Sequence, residues 1–110
     1  MKITPKYNIG DKLYFISNWI YGATIIDFYV ERISIWKHAD GDILIKYYDE
    51  VREEDVLIIQ QECDCFLDYE EAEEECERLN VENRRILERL VKEEAKLEYD
   101  RRRNEPKMQN

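Results

Sequence analysis

Glycine and proline are scarce in this chain of 110 residues, at three and two, and histidine occurs once. So few glycines rule out a phosphate-cradling loop and low-complexity disorder alike. A single histidine, His38, beside Lys37 and with no Ser or Cys motif to serve, reads as a solvated loop residue. No apolar run approaches the roughly 20 residues that span a bilayer, and the start, Met1 to Lys6, has no apolar stretch of a signal peptide. Three cysteines are an odd number, so reduced thiols and a cytoplasmic location are expected, in the host cell if a phage encodes the chain. Cys63 and Cys65 are too close for an ordinary zinc knuckle, and no second His/Cys pair follows. No metal, no cofactor and no catalytic residue is therefore expected, and the chain reads as not an enzyme.

Charge, by contrast, is plentiful: 39% of residues are charged, against about 25% in a typical domain. The net charge is −9 and unevenly spread. Residues 53–77 hold twelve acids and no base, whereas residues 78–103 hold nine bases against six acids. Direct nucleic-acid binding is disfavoured by this balance, because phosphates would meet a repulsive field.

The first 62 residues read as strands. Asn8-Ile9-Gly10-Asp11 is an entry turn for a strand at Lys12 to Ile16. Trp19 to Thr24 is expected to be an irregular connection. Thr24, Ile26, Phe28 and Val30 then share one face by period two, until the parity changes near Glu31-Arg32, where a bulge is expected. Ala39-Asp40-Gly41-Asp42 is a hairpin turn, Ile43 to Tyr48 the return strand, and Val56 to Ile59 a closing strand. Most of the aromatics before residue 50 are assigned to the core; Trp19 and Tyr21, in a loop, are candidates for an exposed partner-binding patch.

Residues 63–68 read as a connection and 69–102 as one long charged α-helix, with a flexible tail at 103–110. Asp68 suits the N-cap with Glu71 three residues on, and Arg101-Arg102-Arg103 suit the negative end of the dipole. A rival reading breaks the helix at Leu79-Asn80-Val81. Ala72, Cys76, Leu79, Asn83, Ile86, Leu90, Glu93 and Leu97 follow a 4-3 spacing, apolar but for Asn83 and Glu93, with Asn83 where a lone Asn fixes register. Leu79, Asn83, Ile86, Leu90 and Leu97 are the candidates for self-association. About 33 helical residues outreach a 60-residue globule, so one end should overhang.

The segments Tyr7-Asn8-Ile9-Gly10-Asp11-Lys12-Leu13-Tyr14-Phe15, Val51-Arg52-Glu53-Glu54-Asp55-Val56 and Phe66-Leu67-Asp68-Tyr69-Glu70-Glu71-Ala72 resemble those of small SH3-like proteins of bacteriophages and other mobile elements. The resemblance covers residues 7–80 and brings no catalytic residues with it. It implies a small SH3-like β-barrel of four to five strands; the long helix past residue 80 departs from the compact form of those proteins, and together they make an α+β fold. It also raises an anti-CRISPR or similar anti-defence role, in which Glu70, Glu71, Glu73, Glu74, Glu75 and Glu77 imitate phosphates and occlude the surface of a basic nucleic-acid-handling protein. The alternative is a structural or adaptor module that forms a homodimer through the helix. A small transcription-associated factor is a third reading.

Overall fold

The computed structural model describes residues 3–104. Five antiparallel strands come first: β1 (Lys12–Trp19), β2 (Gly22–Tyr29), β3 (Arg32–Lys37), β4 (Ile43–Val51) and β5 (Val56–Gln61). A single 3-10 turn (Glu62–Asp64) and one helix, α1 (Tyr69–Asn104), complete an α+β chain. The strands form two open sheets, β1–β2 and β3–β4–β5.

The expected irregular connection at Trp19 to Thr24 is instead the tip of a regular hairpin. Trp19 pairs with Gly22, leaving Ile20-Tyr21 as a two-residue turn. Neither turn residue adopts a positive φ, so the Asn-Gly or Asp-Gly signal that usually marks such turns is missing. The expected bulge at Glu31-Arg32 is a corner where the chain changes sheets. Val30 exchanges backbone hydrogen bonds with Gly10 and Asp11 (2.8 and 2.9 Å), while the next amide, Glu31 N–H, donates to Tyr48 O (2.8 Å). Thr24 is exposed, contrary to its expected place on the buried face. That face is fully buried only at Phe28 and Val30, and the buried residue near the tip is Ala23, on the opposite side. The Asp40-Gly41 turn forms as expected, with Gly41 at φ 94°, a region open to glycine without steric cost.

One cluster holds the strands together: Tyr7, Leu13, Phe28, Val30, Tyr47 and Cys65, with Phe15, Ile33, Ile45 and Ile58 against it. Each large apolar side chain buried there contributes about 1.5–3 kcal/mol. Tyr47, fully buried, donates from its hydroxyl to Glu62 Oε2 (2.5 Å) and accepts from Tyr7 N–H (3.2 Å). Left unpaired, that hydroxyl would cost about 1–3 kcal/mol. Glu62 also accepts from Lys6 N–H (2.9 Å), which ties the first described residues to the end of β5. Past the 3-10 turn, Phe66 exchanges two 2.8 Å backbone bonds with Tyr14 on the outer edge of β1. That return delivers the start of the helix to the hairpin.

The helix begins where expected, after Asp68, whose backbone O accepts the first i+4 hydrogen bond from Ala72 N–H (3.2 Å). It runs unbroken through Asn80, so the helical-hairpin alternative fails, and it ends at Asn104 rather than Arg102. Residues 105–110 of the expected tail lie outside the described residues. Thirty-six residues make a rod of about 54 Å. The radius of gyration is 21.9 Å, whereas a compact chain of this length has about 13 Å. The overhang expected from the sequence is therefore present. No helix among the described residues is long and apolar enough to cross a membrane.

Candidate interaction surfaces

Strand alternation gives the hairpin two working faces. Leu13, Phe15, Ile26 and Phe28 face the β3–β5 sheet, while Tyr14, Ile16, Ala23 and Ile25 face the helix. On the helix side Ala72 (0% exposed), Cys76 and Asn83 are buried, and Leu79, Asn80, Ile86 and Leu87 are half-buried. Tyr14 meets Tyr69 edge-on, with centroids 5.4 Å apart.

Two asparagine side chains fix this seam. Ala23 N–H donates to Asn80 Oδ1 (2.7 Å), and Asn80 Nδ2 donates back to Ala23 O (3.2 Å). The amide stands where a neighbouring strand would, on the unpaired edge of β2. Asn83 Nδ2 donates to Asn18 Oδ1 (2.8 Å) and to Trp19 O (2.9 Å). Asn83, expected to set register between two copies, thus spends its amide inside its own chain, and Leu79 packs on the same seam. Asn80 was visible in the sequence only as a candidate break. Its true partner lies 57 residues away, beyond any local pattern.

The acidic residues divide by helical phase. Glu70, Glu71, Glu74 and Glu77 are exposed and lie on the side of the helix opposite the seam. Glu73 is exposed on the flank, close in phase to Asn80. Glu75 is half-buried and bound by Arg78, whose Nε donates to Glu75 Oε2 (3.0 Å) and whose other arm reaches Glu82 (3.4 Å). The hydrogen bond from Arg78 holds the Glu75 carboxyl below its ordinary value. So one of the six expected acids is matched by a base.

At the hairpin tip Trp19 and Tyr21 are 69% and 84% exposed, as a binding patch requires. The wider assignment of aromatics to the core is corrected: Tyr29 and Trp36 are also exposed, and only Tyr7, Phe28 and Tyr47 among those before residue 50 are buried. Two thin sheets enclose too little volume for the rest.

The outer face of the β3–β5 sheet went unread in the sequence. Trp36 pairs with Leu44, and Tyr48 pairs with both Arg32 and Ile59, all pointing away from the core-facing Ile33, Ile45, Tyr47 and Ile58. Trp36 Nε1 donates to Ser34 Oγ (3.1 Å), which shares a 3.0 Å hydrogen bond with Tyr48 OH, and the Arg32 guanidinium stacks 5.6 Å from the Tyr48 ring. The alternation of Ser34, Trp36, Leu44, Lys46 and Tyr48 was the available signal.

Of the expected self-association residues, Leu90 and Leu97 stand clear of the strands, 47% and 70% exposed. About 120° around the helix from them, Arg85, Arg89, Lys92 and Lys96 recur at i, i+4, i+7 and i+11 along one side. Among the described residues none of the four makes an ion pair. Counting charge by blocks of sequence hid that alignment.

The thiols differ in exposure. Cys63 is exposed, Cys76 is buried with its Sγ 3.2 Å from Ala23 O, and burial pushes the Cys65 thiol up to about 12. His38 is exposed in the β3–β4 turn. Among the described residues no three His, Cys, Asp or Glu side chains come together as metal ligands would. No family model, no curated protein and no solved structure matches the chain.

Proposed function

We propose that the chain is a non-enzymatic binding protein of mobile-element origin, built on an SH3-like barrel. In this reading it acts in the host cytoplasm as an anti-CRISPR or similar anti-defence inhibitor. The observation that carries it is the placement of Glu70, Glu71, Glu74 and Glu77: they are exposed on the outward side of the stretch of helix that is clamped to the hairpin. Charges on a clamped scaffold keep their spacing when a basic groove arrives, so less ordering entropy is lost on binding. Trp19 and Tyr21 add aromatic anchors at the hairpin tip. The SH3-like reading draws support from the corner at Val30, which feeds one run of chain into both sheets, and from the 3-10 turn followed by the return of Phe66 to β1.

Infection of bacteria whose CRISPR system targets the phage tests this. Expression of the chain should restore plaque formation, and replacing the four outward glutamates by Lys should abolish the rescue while the far-UV spectrum stays unchanged. No rescue in hosts carrying each main type of effector would remove the proposal. A second reading, a module that self-associates through the helix, is favoured by the exposed Leu90, Val91 and Leu97 on the overhang.

A further inference from the structure

The chain has two unpartnered apolar surfaces. One is the overhanging half of α1. At 3.6 residues per turn, Ile86, Leu90 and Leu97 fall in the same sector of roughly 80° as Ala72, Cys76 and Asn83. The free stripe is thus collinear with the seam and faces the same side of the rod. The other is the outer face of the β3–β5 sheet, where Trp36, Leu57 and Ile59 are 58%, 52% and 44% exposed. It lies on the far side of the strands from the helix. A helix stripe and a sheet face are the two surfaces that most readily cover each other, and inside this chain the docked half of the helix already covers the hairpin in that way. Resting on the self-association reading, we propose that the occupant of each surface is the other surface of a second copy. The free helix of one chain lies across the outer sheet face of its partner, and the exchange is reciprocal.

The geometry closes. A second copy seated on the free stripe sits beside the first strand domain, on the same side of the rod. Its own helix then lies on the far side, and a two-fold axis returns that helix's free half to the first copy's sheet. The product is two strand domains side by side between two antiparallel helices. The free half from Leu87 to Asn104 is about 25 Å long, close to the roughly 30 Å of the nine-residue β4. Charge fits as well: Glu93 and Glu94 flank Leu90 and Leu97, while Arg32 and Lys46 stand on the sheet face. The hairpin tip, beside the point where the helix leaves the strands, falls between the two domains, which gives Trp19 and Tyr21 something to bury against.

Sedimentation of the full chain at about 100 µM should give twice the mass of 13.5 kDa. A sheet-face variant, Trp36→Glu with Leu57→Glu, and a helix variant, Leu90→Glu with Leu97→Glu, should each be monomeric with an unchanged far-UV spectrum. Mixed one to one, they should form a heterodimer, because one intact sheet face meets one intact helix, bound at least about tenfold more weakly than the wild type. A monomeric wild type overturns both the exchange and the self-association reading. A sheet-face variant that dimerises like the wild type, or a mixture that stays monomeric, overturns the exchange alone and points to helix–helix pairing. Should the sheet-face variant fail to fold, carbodiimide coupling of isotopically light and heavy wild-type chains decides. Conjugates of Lys46 to Glu93 or Glu94 between chains support the exchange, and conjugates confined to helix–helix positions overturn it.

Discussion

The two halves of α1 carry one repeating pattern and meet different fates. From Tyr69 to Leu87 the seam positions are buried or half-buried against the hairpin; from Glu88 onward Leu90, Val91, Leu97 and Tyr99 are exposed. The apolar spacing is the same, so it does not decide which half docks. What separates them is polar: Asn80 and Asn83 sit on the docked half with matched partners in the hairpin, while the corresponding sector of the free half holds Glu94 and Arg101. Hydrophobic periodicity says that a helix has a face. Amides and charges say what the face was shaped to meet.

The contrast breaks most severely in a chain that ends at Leu67. Losing the docked half uncovers Tyr14, Ile16, Ala23 and Ile25, which should cost several kcal/mol at about 25 cal/mol per Å². Cooperative urea unfolding should nevertheless persist, because the cluster around Tyr47 contains no helix residue. A chain ending at Glu88 should match the wild-type monomer. A loss as large from this second truncation would erase the distinction between the halves.

Asn80→Ala comes next. It leaves the Ala23 N–H without its partner on the edge of β2, a loss of about 1–3 kcal/mol and, for a domain of this size, roughly 4–8 °C in Tm per kcal/mol. Cys76, whose Sγ lies 3.7 Å from Asn80 Nδ2, should then react faster with a thiol reagent. In the wild type only Cys63 should label promptly.

Acid should produce a smaller effect. The Glu75 carboxyl is held below its ordinary value of 4.5 by Arg78, so the folded state binds its proton less readily than the unfolded chain. The resulting stabilisation is present above about pH 4.5 and is lost as pH falls through the lowered folded value. Arg78 is exposed and Glu75 only half-buried, so the loss should be slight and should shrink further in salt. Denaturant melts of the wild type and Arg78→Ala between pH 3 and 6 should converge at the acid end. Smallest of all, Glu94→Ala on the free half should move monomer stability by less than about 0.5 kcal/mol.

Much of the architecture was readable from local chemistry. Asp40-Gly41 announces its turn because glycine accepts the φ of 94° found there, and the helix announces itself because acids crowd its first turn and arginines its last. The hairpin tip was hidden because Ile20-Tyr21 turns the chain with neither Gly nor Asn. The corner at Val30 depends on Gly10, Asp11 and Tyr48, all distant in sequence. For the surfaces, composition revealed the acids but not their phase around the helix, which is what sets Glu70 and Glu74 outward and Glu75 beside Arg78. Period two puts Trp36 and Tyr48 on one face of their strands but does not say which face is covered, and a core between two thin sheets is too small to hold every aromatic residue.

Clamping a long helix at one end turns it into a lever. Asn80 and Asn83 grip the hairpin near the fulcrum, and about 25 Å of rod extends past Leu87. A tilt of about 10° at the grip, within the play of a few hydrogen bonds, sweeps the far end through about 4 Å. That is close to the diameter of a methyl group. Whatever loads Trp19 or Tyr21 at the hairpin tip therefore pushes directly on the fulcrum, and the arginines at the distal end would register the movement enlarged.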